Sequence, residues 1–190
     1  PALAGVVAYQ GITNFPPEFQ EIAAGNIAGI PNQVIIFAVL LILSFILLHL
    51  TKYGRKIFLI GVNRNTAEYS GIKTARVVMS TYVLSGIAAS ISGILLTSYL
   101  GTAKPDFGAD LTLPIITAVV LGGTSIYGGK GNVIGTGLAA LIIGFMKFGL
   151  TLIGINAQYQ DIPVGILLIV ALIINFMINS NVFQNLKRKK

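Results

Sequence analysis

The sequence predicts an all-α polytopic membrane protein. Of its 190 residues, 54% are hydrophobic and 10% charged, with a mean hydropathy of +0.83. Soluble domains carry about 25% charged residues, so this chain lacks the polar surface that water demands. Its apolar residues gather into five runs, near the ~20 residues that an α-helix needs to cross a bilayer. Its charges fall almost wholly between those runs. No cysteine is present, which excludes disulfides and thiolate metal sites.

Residues 1–33 read as a loop, and the opening at Pro1, without methionine or a basic signal-like region, reads as the start of a C-terminal half. The spans follow at Val34–Leu50, Val77–Leu100, Leu111–Ile126, Val133–Ile155 and Ile162–Ile178. Pro31 and Asn32 precede the first, and Thr74 can cap the second. Asp110 or Thr112 can cap the third, with Pro114 in its first turn. Asp161 can cap the fifth, with Pro163 in its first turn. Those first-turn N–H groups have no helical partner, so proline costs little there.

Charge then orients the chain. Lys52, Arg55, Lys56, Arg64, Lys73, Arg76, Lys130, Lys187, Arg188, Lys189 and Lys190 lie in segments 51–76, 127–132 and 179–190, which makes eleven of the thirteen basic residues. Glu18, Glu21, Asp106, Asp110 and Asp161 lie in the alternate segments 1–33, 101–110 and 156–161. Basic loops stay cytoplasmic. The expected topology therefore has an extracytoplasmic loop at 1–33, a cytoplasmic loop at 51–76 and a basic cytoplasmic tail at 179–190. The net charge of +7 follows from this topology and calls for no nucleic acid.

The stretch LGGTSIYGGKGN, Leu121 to Asn132, invites comparison with a phosphate-binding loop. A Walker A motif reads G-x-x-x-x-G-K-[ST]. Here Thr124 stands at the first glycine, and Gly131 follows Lys130 where a hydroxyl should stand. No ATP site is expected in this chain. From Leu111 to Gly122 a helix rises about 18 Å, short of the ~30 Å hydrocarbon core. The helix should break near Gly122, Gly123, Thr124 and Ser125. The stretch is either a turn that lets helices pack closely or the lining of a transport path, since irregular backbone at membrane depth must be covered by protein or a watery cavity.

Lys147 is the one charge well inside a span. It faces a cavity, snorkels to the interface or meets a partner subunit. His49, the only histidine, has no second ligand near it and reads as interfacial. Ser85, Ala89 and Gly93 in span two, with Thr97, and Gly131, Gly135, Ala140 and Gly144 around span four, read as helix-packing seams. No catalytic set, metal cluster or cofactor motif is visible, so an enzyme is not expected. In the loop at 51–76, Asn65 and Glu68 have capping-box spacing, and Gly71 can end a short helix over Thr66–Ser70. That helix either lies on anionic headgroups or docks a cytoplasmic partner.

The segment GVNRNTAEYSGI resembles the coupling-loop signature G-x-N-x-x-A-A-x-x-S-G-I of sugar-type ABC importer permeases, the ribose-permease family. ITAVVLGGTSIYGGKGNVIGT resembles the same family's A-A-V-V-L-G-G-x-S-x-x-G-G-x-G segment, and the flanking loops look closer to the autoinducer-2 and rhamnose import permeases. Thr66 stands where the signature has its first alanine, and Lys147 and Phe148 stand where small amides are common. The resemblance implies a permease subunit moving a sugar-like solute by alternating access. It implies a second permease copy or paralogue, a cytoplasmic ATPase and an extracytoplasmic binding protein as partners. It carries over Gly61, Asn63, Ala67, Glu68, Ser70, Gly71 and Ile72 as the ATPase-coupling loop. The translocation path is expected at Gly122, Gly123, Thr124, Ser125 and Lys147. The rival class is an ion-gradient-driven secondary transporter or channel.

Overall fold

Inside a bilayer the backbone has no water to bond, so apolar runs must satisfy their own N–H and C=O groups as helices. The computed structural model describes residues 11–13, 15–27, 29–104, 108 and 110–179. The element order is β1 (Ile12–Thr13), α1 (Pro17–Ala24), β2 (Asn26–Ile27), β3 (Ile30–Pro31) and α2 (Asn32–Phe45, continued by a π-helical turn Ile46–Leu50). Then come α3 (Lys52–Val62), α4 (Arg64–Tyr69), α5 (Thr74–Leu100), β4 (Thr102–Ala103), α6 (Thr112–Leu121), α7 (Val133–Leu152) and α8 (Ala157–Asn179). The strands form two short antiparallel pairs, β1 with β4 and β2 with β3.

Among the described residues, four helices are long and apolar enough to cross a membrane: Asn32–Leu50, Thr74–Leu100, Val133–Leu152 and Gln158–Met177. The third apolar run, Leu111–Ile126, gives only α6, ten residues ending at Leu121 with Gly122 as its C-cap, so the expected break is there. The core forms around this short helix. Ala118 of α6 packs with Ala139 and Ile143 of α7 and Val164 of α8, and Leu113, Leu121 and Met146 close around them. Thr117 is fully buried there and donates its hydroxyl to the Leu113 carbonyl at 2.8 Å, so its polarity is spent within its own helix.

Several boundaries differ from the sequence expectation. The segment read as a plain loop before the first span contains α1, opened by Pro17 in its first turn. The loop at 51–76 holds two helices. Thr51 caps α3 by accepting from the Tyr53 and Gly54 amides at 3.2 and 3.3 Å, and Gly54 sits against the Leu48 carbonyl, where a side chain has no room. The short helix is capped by Asn63, whose Oδ1 accepts from the Thr66 amide at 3.1 Å, rather than by Asn65. Thr74 is the first residue of α5 and no cap, and neither Asp110 nor Thr112 caps α6. Helix α8 starts at Ala157, so Asp161 lies within it, and Pro163 denies the Tyr159 carbonyl its usual partner. The sequence-predicted basic tail from 180 onward, residues 1–10 and Asp106 lie outside the described residues.

Ser98 fastens α1 to the end of α5. It is 1% exposed, accepts from the Ala23 amide at 3.1 Å and donates to the Phe19 carbonyl at 2.6 Å. Ser98→Ala removes both of these buried bonds between α1 and α5 and should cost about 1–3 kcal/mol. Thermal unfolding in detergent checks this, together with faster proteolysis of the α1 segment.

Candidate functional site

The Gly-rich stretch is a closed loop. Beyond α6 the chain satisfies its amides by turning back, with Gly123 N–H bonding Val120 O at 3.1 Å and Thr124 N–H bonding Val119 O at 3.2 Å. Ser125 N–H bonds Lys130 O at 3.0 Å and Gly128 N–H bonds Ser125 O at 3.1 Å, closing a six-residue turn. Gly123, Gly128 and Gly129 have φ of 88°, 89° and 75°, the left-handed region that glycine alone occupies freely. Asn132 then caps α7 by accepting from the Gly135 amide at 3.2 Å. Across the break, Gly122 lies directly on Gly135 and Thr136, close enough that a side chain on either glycine would collide with backbone. The Thr124 and Thr136 hydroxyls meet at 3.5 Å.

Asn175 of α8 also holds this loop, donating to the Thr124 carbonyl at 3.2 Å. The sequence reading missed it, although an amide deep in an apolar run is a signal, because such a group needs a partner there. Ser125 is 8% exposed and its Oγ has no hydrogen-bond partner. It opens on a cavity of about 630 Å³ between α2, α3, the loop and α7, walled mostly by apolar side chains such as Leu41, Leu48 and Phe58. His49 lines the same cavity, stacked on Phe45 at 4.9 Å. The predominantly apolar wall does not match a sugar hydroxyl array.

Of the expected coupling residues, Gly61 lies in α3 and the others build α4 and its two ends. Asn63 caps it. Ala67 is 4% exposed and faces inward. Gly71, at φ 80°, ends the helix as expected, with its amide on the Glu68 carbonyl at 2.9 Å and the Ile72 amide on the Ala67 carbonyl at 3.1 Å. The Ser70 hydroxyl donates to the Thr66 carbonyl at 2.9 Å. Glu68 takes a short hydrogen bond from Thr74 and pairs with Arg64 at 3.5 Å, tying α4 to the start of α5. What projects from α4 is Tyr69, 93% exposed.

Loop and helix meet at Gly61. A Cβ there would lie 2.5 Å from the Gly129 amide nitrogen, and one on Gly128 would lie 2.6 Å from the Gly61 carbonyl oxygen. Gly61 and the Gly122–Ser125 break thus belong to one end of the bundle. Lys147 does not. It sits fourteen residues beyond Val133 along α7, about 21 Å at 1.5 Å per residue. There its Nζ pairs with the Asp161 carboxylate of α8 at 2.9 Å. Gln160 closes the same corner, donating to the Thr151 hydroxyl and the Ile155 carbonyl, each at 3.0 Å. Among the described residues no cluster of His, Asp or Glu could hold a metal.

Residues 3–172 match the protein family described as branched-chain amino acid transport system / permease component. The chain is 42% identical over 171 residues to autoinducer 2 import system permease protein LsrD of Yersinia enterocolitica, covering 90% of this chain and 52% of the relative. The corresponding proteins of Yersinia pestis and Photorhabdus laumondii match at the same 42% identity, with 51% of each relative covered. The chain therefore spans about half the length of these relatives. No solved structure matches it.

Two predictions follow from the polar contacts. Donation from the Thr74 hydroxyl holds the Glu68 carboxyl below its ordinary 4.5, with desolvation opposing and the Arg64 hydrogen bond and charge adding to the depression. A depressed carboxylate stabilises the fold fully above the unfolded value, and that contribution is lost as pH falls through the folded value. A carbon-13 titration should place the Glu68 midpoint below 4.5, moving up toward it in Thr74→Val. At the far end, Lys147→Asp should separate α7 from α8, and the swap Lys147→Asp with Asp161→Lys should recover the loss. The expected coupling is about 0.5–3 kcal/mol in a double-mutant cycle of detergent melts.

Proposed function

The chain belongs to the family described as branched-chain amino acid transport system / permease component, and on that premise we propose that it is the transmembrane permease part of an ATP-binding-cassette importer. The solute is a sugar or sugar-like molecule, with autoinducer-2 the first candidate on the likeness to the LsrD permeases. Alternating access moves it across the cytoplasmic membrane, hydrolysis occurs on a separate cytoplasmic ATPase, and an extracytoplasmic binding protein delivers it. A second permease chain completes the pathway. The C-terminus is cytoplasmic, which puts α3, α4 and the Gly-rich loop on the ATPase side.

One observation carries the coupling role. Helix α4 is capped at both ends, anchored underneath by Ala67 and tied to α5 through Glu68 and Thr74, so that a built helix presents Tyr69 outward. A rigid aromatic on a short, braced helix is what a docking contact needs, because aromatic anchors supply large area at low entropic cost. A lipid-surface helix would instead show an apolar stripe, and Arg64, Asn65, Thr66 and Glu68 break any such stripe. The expected Ala67 contact is indirect, acting through the helix that Ala67 seats.

Tyr69→Ala in the full-length permease, co-expressed with its ATPase, should weaken ATPase retention roughly 10–30-fold, as loss of an aromatic anchor does. Membrane insertion should be unchanged. Ala67→Pro removes the Ala67 N–H bond to Asn63 O and should abolish retention outright. Uptake of labelled autoinducer-2 into vesicles should require ATP. Uptake that follows an imposed ion gradient without ATP would establish the secondary-transporter alternative.

A further inference from the structure

Gly61 has an internal contact that a docking surface does not require. Its backbone lies directly against that of Gly128 and Gly129, with the Val62 methyl packed beside the contact. We infer that Gly61, Gly128 and Gly129 form a rigid strut, so that α3 and α4 move as one body with the loop of residues 122–132 and deliver displacement to the truncated end of α6. This rests on the reading of α4 as the docking helix.

Three features support it. First, a contact through flexible side chains would absorb an ångström-scale motion by rotamer changes, whereas close-packed backbone transmits it. Second, the loop is stiff in itself, closed by its bonds from Ser125 to Lys130 and from Gly128 to Ser125. Third, its other side is held by Asn175 and by the Gly122 contact with Gly135. A push at Gly61 has no soft element to deform before it reaches Gly122. Gly129 faces Val62 just as closely, with a Cβ there only 2.5 Å from the valine methyl, so the strut is two residues wide and resists rotation as well as translation.

The test uses the full-length permease with its second permease chain, its ATPase and its extracytoplasmic binding protein in proteoliposomes, with labelled autoinducer-2 as the probe. Gly61→Val should insert, retain the ATPase and hydrolyse ATP, while uptake falls roughly 5–150-fold, the span of ordinary coupling energies. Gly131→Ala is the control in the same loop. Its methyl would meet Phe58 and Thr124 at ordinary distances of 3.5 and 3.6 Å, and uptake should match the wild type. Should Gly61→Val fail to insert, stapling decides. Leu59→Cys of α3 and Tyr127→Cys of the loop, both exposed and outside the contact itself, are joined by a cleavable bis-thiol linker in a cysteine-free background. A rigid body loses nothing by being stapled, so uptake should be unchanged. Wild-type uptake in Gly61→Val, loss of the ATPase from that variant, or uptake blocked by the linker until reductant cleaves it would each overturn the strut. Absence of ATP-driven uptake in the wild type would instead overturn the importer reading.

Discussion

A helix that stops partway through an apolar layer must satisfy its last carbonyls and the next helix's first amides without water. Each buried polar group left bare there costs several kcal/mol. Helix α6 poses this problem and the surrounding chain is organised to solve it. The amides of Gly122, Gly123 and Thr124 return to carbonyls within α6, Asn132 serves the start of α7, and Asn175 reaches across from α8. The side chains packed on α6 are small or branched, Ala139, Ile143 and Val164, so that α7 and α8 approach closely and exclude the membrane from the break. The glycines follow from the same demand, because only backbone without Cβ brings the two ends near enough.

Much of this was legible in the sequence. Hydropathy marked all four long helices, and the shortness of the apolar stretch before Gly122 marked the break. Gly71 marked the end of α4, because a left-handed residue after a short helix favours glycine. What escaped depended on partners distant in sequence. Asp161 looked like a helix cap because its spacing to Pro163 suits one, and only the approach of α7 makes it the counter-ion of Lys147. Asn63, assigned to a docking surface, is exposed and also caps α4, a role the sequence reading had given to Asn65. Helix α3 is amphipathic with charges at Lys52, Arg55 and Lys56, so hydropathy windows tuned to spans passed over it. In the Gly-rich loop, composition announced a turn, but the match of Gly61 to Gly128 and Gly129 is a tertiary fact.

Helices α2 and α5 are organised differently. The described residues of α2 include none that is buried, and in α5 only Thr74 and Ser98, at or near its ends, are. The small residues Ala89 and Gly93 of α5 remain exposed, and nothing lies within 4 Å of where a Gly93 side chain would be. The serines of α5 nevertheless show little polarity, since Ser90 and Ser92 donate to the Gly86 and Ala88 carbonyls at 2.9 Å. Hydroxyls that bond their own helix suit an apolar neighbour of either kind, lipid or another helix.

The abutment of Gly122 on Gly135 also has an electrostatic side. A helix carries about half a positive charge at its amide end and half a negative charge at its carbonyl end. Where broken membrane helices leave such ends facing a cavity, they become binding points for ions and charged groups. Here the carbonyl end of α6 meets the amide end of α7, with the Gly122 oxygen set against Gly135. Opposite partial charges in contact cancel one another. The paired helix ends therefore offset each other's partial charge, so neither is left bare to draw a counter-ion into the break.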